Sequence, residues 1–171
     1  MRIQLASLDG TDGRFTHRYE PGELVPGDER IRLSEPPAIS GRIRKADRKV
    51  KLDGRVVARA QLECDRCLKL IDVPVDTHFR VEYVTTEQYL ASQVAKLAEE
   101  DMQLSVFDGE AIDIDEVVNE QLLLAVPTRA ICENSCKGLC PVCGANRNDA
   151  DCGCESNDTD PRWAGLKNLR F

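Results

Sequence analysis

Period-two alternation dominates the first half of the chain. Ile39, Gly41 and Ile43 fall on one face of an extended segment while Arg42 and Arg44 fall on the other. From Gly54 onward Val56, Ala58, Ala60, Leu62 and Cys64 form an apolar row, opposed by Arg55, Val57, Arg59, Gln61 and Glu63. Successive strand side chains point to opposite faces, so this pattern predicts a strand with one face on a core. A second run answers it, with Ile71, Val73, Val75, Thr77, Phe79, Val81 and Tyr83 set against Asp72, Pro74, Asp76, His78, Arg80 and Glu82. Pro74 has no amide proton to give a ladder and belongs at an edge or a bulge. Between the two runs, Cys64-Asp65-Arg66-Cys67 occupies the tip of a predicted hairpin.

The remaining signals are shorter. Ile3, Leu5 and Leu8 fit a strand near the start, and residues 14–37, punctuated by Pro21, Gly22, Pro26, Gly27, Pro36 and Pro37, read as loop. Thr86 is placed to cap a helix through Tyr89, Leu90, Val94 and Leu97, and a short strand at Leu104–Phe107 precedes a turn at Asp108-Gly109. Asp113 with Glu116 three residues later has the form of a capping box, ahead of Ile114, Val117, Val118, Leu122 and Ala125 at helical spacing, and Pro127 ends that helix. Asp160-Pro161 opens a last helix carrying Trp163, Leu166 and Leu169 on one face. The expected fold class is α+β. It comprises a β-rich N-terminal body of antiparallel strands and a few helices over residues 1–128, with the capped helix at about 113–126. A Cys-rich, zinc-knuckle-like segment with the last helix covers residues 129–171.

Composition narrows the function classes. Aromatic residues are 5% of the 171, so the core is aliphatic. No apolar run approaches the roughly 18–20 residues of a membrane helix, and MRIQLASLDG shows no secretory h-region, so the expectation is a cytoplasmic protein with no membrane partner. The net charge of −7 argues against wholesale coating of nucleic acid, but it hides an asymmetry: residues 1–84 hold 16 basic and 14 acidic side chains, residues 85–171 hold 7 and 16. Arg42, Arg44, Arg48, Lys49, Arg55 and Arg59, with Lys45 and Lys51, face only Asp47 and Asp53 in the same stretch. Such a run forms a patch with its own field, or else a merely solvated sheet face.

Eight cysteines in a chain with two histidines point to metal or redox chemistry in a reducing compartment. Six fall in ICENSCKGLCPVCGANRNDADCGC: Cys132, Cys136, Cys140, Cys143, Cys152 and Cys154. Cys140-Pro141-Val142-Cys143-Gly144 has the form of a zinc knuckle, whose two-residue spacing brings both sulfurs to one ion while Gly144 permits the turn. Four of the six would complete a Zn(2+) site, Cys140 and Cys143 with either Cys152 and Cys154 or Cys132 and Cys136. The metal supplies folding energy that this core-poor segment lacks. Cys64 and Cys67 remain open between a second metal site closed by the leftover pair, a redox dithiol beside Arg66, and two plain thiols at a hairpin tip. No nucleophile elbow, phosphate loop, dinucleotide fingerprint or catalytic carboxylate pair is present, so neither an enzyme nor a small-molecule substrate is expected.

Taken together, LECDRCL at 62–68, the helix Ile114–Ala125 before Pro127, CKGLCPVCG at 136–144 and DPRWAGL at 160–166 resemble the YceD family over about residues 38–171. The resemblance implies a non-enzymatic part in the accumulation or processing of large-subunit ribosomal RNA, and a metal-binding C-terminal cysteine cluster. Partners would be that RNA or its precursor through Arg42, Arg44, Arg48, Lys49, Arg55 and Arg59, a basic ribosomal protein through the acidic half, or both. From another class, a thiol-based redox or metal-responsive protein would use Cys64 and Cys67.

Overall fold

A computed structural model describes residues 1–8, 11–46, 49–93, 104–154 and 162. The fold class is α+β, strand-rich with two α-helices among the described residues. Strands run β1 (Arg2–Gln4), β2 (Asp12–Arg18), β3 (Arg32–Ala46), β4 (Lys49–Glu63), β5 (Leu70–Thr85), β6 (Leu104–Phe107) and β7 (Ala111–Asp113), with α1 at Thr86–Gln93 and α2 at Ile114–Ala125. β2 to β6 form one five-stranded sheet in sequence order, and β1 pairs with β7 in a separate two-stranded sheet. Among the described residues no helix is long and apolar enough to cross a membrane.

The chain divides into two compact units. The first joins Met1–Leu62 to Ile71–Thr128; the second joins the hairpin tip Glu63–Leu70 to Arg129–Phe171.

In the first unit, the alternation predicted for residues 39–44 and from Gly54 onward is realised. Ile39, Ile43, Leu52 and Val56 are buried, whereas Arg42, Arg44 and Arg55 on the opposite face are exposed. β6 joins β5 in parallel and takes up only Glu82–Thr85, so Pro74 lies on a stretch of β5 that β6 does not reach. Residues 14–37 are less irregular than expected. β2 pairs along its whole length with β3, and β3 begins at Arg32 and passes through Pro36-Pro37, with one register shift between Leu33 and Glu35 and a second, spanning the prolines, between Glu35 and Ala38. The prolines bulge the strand rather than end it, because tertiary pairing supplies ladder bonds that local propensity does not foresee.

α2 starts where the sequence places it. Asp113 caps it by accepting the Asp115 amide N–H at 3.0 Å, and Ile114, Val117, Val118 and Leu122 form its buried stripe. Each such side chain contributes roughly 1.5–3 kcal/mol on burial. α1 is capped by Thr85, one residue earlier than expected: Thr85 Oγ1 accepts from Gln88 N–H at 3.4 Å while Gln88 Oε1 accepts from Thr85 N–H at 3.2 Å. The positions read for this helix beyond Gln93, Val94 and Leu97, and the terminal helix of Trp163, Leu166 and Leu169, lie outside the described residues.

One polar cluster pins the two ends of the first unit together. Tyr19 donates to Asp115 at 2.6 Å, and the Met1 ammonium pairs with the same carboxylate. Burial alone would raise the Asp115 pKa, but these two donors prevail and hold it below 3.8. A depressed folded-state pKa gives stability that is complete above the unfolded value and is lost as pH falls through the folded one. Asp115→Asn should therefore destabilise the protein near neutral pH, with the gap to wild type closing as pH falls through the depressed folded-state pKa. Denaturant melts across pH check this; a gap independent of pH contradicts it.

Candidate metal centres and a basic sheet face

The eight cysteines form two groups of four, in each of which the sulfurs lie within 4.8 Å of one another. The inner group joins Cys64 and Cys67, at the tip between β4 and β5, to Cys132 and Cys136. Cys67 Sγ lies 3.7 Å from Cys132 Sγ, and Cys64 Sγ lies 4.0 Å from Cys136 Sγ. Four sulfurs about 2.3 Å from a tetrahedral Zn(2+) stand about 3.8 Å apart, so the donor set and spacing fit such an ion. None of the eight is in a disulfide.

The surroundings hold this inner group in place. Asp65 N–H donates to Ala130 O at 2.8 Å and Ala130 N–H returns to Asp65 Oδ2 at 2.8 Å. Arg66 Nη1 reaches Cys136 O at 2.8 Å, and Arg66 O accepts Leu139 N–H at 2.9 Å. Gly138 is required beneath Arg66, since a Cβ there would stand 2.9 Å from the Arg66 carbonyl oxygen. Cys64, Cys67 and Cys136 are buried, with Ile131, Cys132 and Leu139 packed around them, so the sulfurs are themselves the centre of the second unit's core.

The outer group is Cys140, Cys143, Cys152 and Cys154, of which Cys143 and Cys154 are exposed. Its turn repeats that of the inner group. Gly144 N–H donates to Cys140 O at 2.9 Å, as Leu68 N–H does to Cys64 O at 2.9 Å. Both residues are left-handed, Gly144 at φ 75° and Leu68 at φ 59°. Sequence reasoning found the glycine but not its leucine counterpart. A left-handed leucine costs roughly 1–2 kcal/mol, and Leu68 is 57% exposed, so its side chain contributes little burial. Leu68→Gly should therefore stabilise the second unit by about 1 kcal/mol; a lower melting temperature would contradict this.

Electrostatics prepare both groups for a cation. Burial disfavours the Cys64 thiolate, but the amide N–H groups of Arg66, Cys132 and Cys67 bring its pKa down to about 6. The N–H groups of Cys143 and Val142 do the same for Cys140, also to about 6. Their companions move the other way: Cys132, by burial and hydrogen bonds with the other thiols, and Cys154, by hydrogen bonds with Cys143 and Cys152, are each pushed up to about 12. Four neighbouring thiolates repel unless a divalent cation replaces the protons. Asn148, absent from any motif, lies in the loop of the outer group, and its side-chain amide donates to Cys136 Sγ at 3.3 Å.

Sequence spacing allowed Cys140 and Cys143 two alternative completing pairs; the structure brings them together with Cys152 and Cys154, and gives Cys132 and Cys136 to Cys64 and Cys67. The burial of Cys64 and Cys67 denies an incoming thiol or disulfide access to the pair, which favours a metal over the dithiol reading.

The basic stretch is less basic in space than in sequence. Arg44 pairs with Asp53 at 2.8 Å, Arg59 with Glu35 at 3.1 Å, Lys49 with Glu82 at 3.2 Å, and Arg55 Nε with Asp76 Oδ1 at 2.6 Å. Arg48 lies outside the described residues. Arg42 alone of the described candidates has no ion pair among the described residues, and it faces Arg14 of β2 directly across the ladder. Arg14 was hidden by the loop reading of residues 14–37, although Asp12, Arg14, Thr16 and Arg18 alternate with Gly13, Phe15 and His17.

Comparison with known proteins gives a consistent result. The family profile described as "Large ribosomal RNA subunit accumulation protein YceD" matches residues 52–170. An uncharacterised protein of Mycobacterium tuberculosis is 32% identical over 97% of this chain and 79% of its own length. A chloroplastic protein of Arabidopsis thaliana, named a large ribosomal RNA subunit accumulation protein YCED homolog, is 27% identical over 79% of this chain and 49% of its own. No solved structure matches the chain.

Proposed function

The chain belongs to the YceD family, and from that premise we propose that it is a non-enzymatic ribosome-biogenesis factor needed for accumulation or processing of large-subunit ribosomal RNA. The family match carries this reading, and the Arabidopsis relative's name agrees with it. Each four-cysteine group holds a structural Zn(2+), the usual ion for four thiolates at tetrahedral spacing. Four thiolates fill the coordination shell and leave no position for a substrate or an activated water, which supports a structural rather than a catalytic metal. Eight reduced cysteines suit a cytoplasmic location. Partners are the large-subunit RNA or its precursor, a basic ribosomal protein drawn to the acidic half, or both.

Deletion of the gene should lower mature large-subunit ribosomal RNA relative to small-subunit RNA, and expression of the wild-type chain should restore it. An unchanged ratio after deletion would sink the proposal. Elemental analysis of protein purified without chelator checks the metal independently, the expected result being two zinc ions per chain.

A further inference from the structure

A trough of about 800 Å³ lies on the face of the β2–β5 sheet that carries the exposed polar residues. Arg14, Arg42, Arg55, Arg80 and His78 line it, with Asp53 as the single acid of that lining. Arg55 is committed to Asp76, and Asp53 to Arg44. Asp53 stands opposite Arg42 in the ladder yet makes its ion pair elsewhere. Arg14, Arg42 and Arg80 have no ion pair among the described residues. Arg14 and Arg42 are also direct cross-strand neighbours, where like charges are destabilising. A fold that keeps such an unfavourable pair exposed, with acids available on the same face, is holding charge ready for something outside itself.

We propose that this trough binds the phosphate backbone of RNA through Arg14, Arg42 and Arg80, while the paired Arg44, Arg55 and Arg59 serve the sheet. Charge complementarity selects the ligand: three uncompensated guanidiniums on one sheet face, from β2, β3 and β5, match a polyanion with repeated charges. The hydroxyls of Thr16 and Ser40 in the same lining add donors of the kind that reach phosphate and sugar oxygens. The two rings nearest the trough are spent on the fold, Phe15 against Gly41 and Phe79 against Gly54. With both phenyl rings spent on the fold, phosphate contacts dominate the recognition, and binding is largely independent of sequence and strongly dependent on salt. This inference rests on the proposed ribosomal role and names the surface that serves it.

The test uses the full zinc-loaded chain and a fluorescein-labelled 20-nucleotide single-stranded RNA, titrated at several salt concentrations. Each phosphate contact adds a slope of about −0.7 to log K against log salt for single strands. R14Q/R42Q/R80Q should therefore weaken binding at least tenfold in low salt and flatten the slope by about 2. Its melting temperature should be unchanged or higher, because a like-charge pair is removed. R14K/R42K/R80K should keep most of the affinity, and R2Q/R30Q/R129Q, with the same change in net charge outside the trough lining, should bind like wild type. Equal binding by wild type and the trough triple would overturn the inference, as would wild-type binding to polyaspartate but not to RNA. Returning the trough triple to the deletion strain separates the two readings. If the wild-type chain restores large-subunit RNA and the triple does so equally well, the trough inference fails alone; if deletion never changed the RNA, the ribosomal role itself fails.

Discussion

Cys64→Ala lowers the zinc content from two ions to one and unfolds the chain around the inner group, on the reading proposed here for that group. The size of the effect separates a metal site from ordinary packing. Truncating a small buried side chain to alanine costs about 1–2 kcal/mol when only contacts and a small cavity are involved. A structural four-thiolate zinc site carries roughly 10–16 kcal/mol of apparent binding energy, nearly all of it folding energy. The second unit has no other described cluster of buried side chains, since Cys64, Cys67 and Cys136 are themselves its centre. Loss of the ion should thus collapse amide dispersion across Glu63–Leu70 and Arg129–Leu139 in an NMR spectrum, while the outer group keeps its ion and the first unit, with its own core, stays folded. Cys143→Ala in the exposed outer group should release one ion with a smaller loss of structure. Two ions retained in Cys64→Ala, with native dispersion, would refute the inner site.

Gly54→Val should be the most damaging single substitution in the first unit. A Cβ at Gly54 would stand 2.5 Å from the Ser40 carbonyl oxygen and 2.8 Å from Phe79 Cζ. Neither neighbour can give way, because one is backbone in a ladder between two long strands and the other is a ring only 7% exposed. Overpacking of this kind costs about 3 kcal/mol, or a fall of about 10 °C in melting temperature for a unit of this size. Gly41, directly opposite Gly54, meets the Asp53 carbonyl oxygen at 2.5 Å and Phe15 Cζ at 2.8 Å and should behave alike. Gly27, with no atom within 4 Å of a Cβ and no positive φ, supplies the control: Gly27→Ala should leave the melt unchanged. A Gly54→Val melt within a couple of degrees of wild type would contradict the close packing of the two rings on the glycine pair.

The sequence by itself determined the elements whose signal is local. Alternation in β4 and β5 needs only the period of a strand, and the α2 cap needs only Asp113 ahead of an apolar stripe, so both were legible. The Cys64 and Cys67 turn was legible as a turn, and CPVCG as a knuckle, because ligand spacing and a left-handed glycine are local requirements. Tertiary structure alone decided the rest. Sulfurs more than sixty residues apart along the chain close the inner group, and spacing carries no information about which distant pair completes a tetrahedron. β2 exists because β3 offers it a ladder; the alternation along residues 12–18 is outweighed by the turn residues that follow it. The charge of the basic stretch was likewise undecidable in one dimension. Asp76, Glu82 and Glu35 arrive from other parts of the sheet to neutralise Arg55, Lys49 and Arg59, while Arg14 arrives from β2 to face Arg42, which has no ion pair among the described residues. Coulomb energy depends on distance in space, and a strand's neighbours across the ladder are invisible in its own sequence.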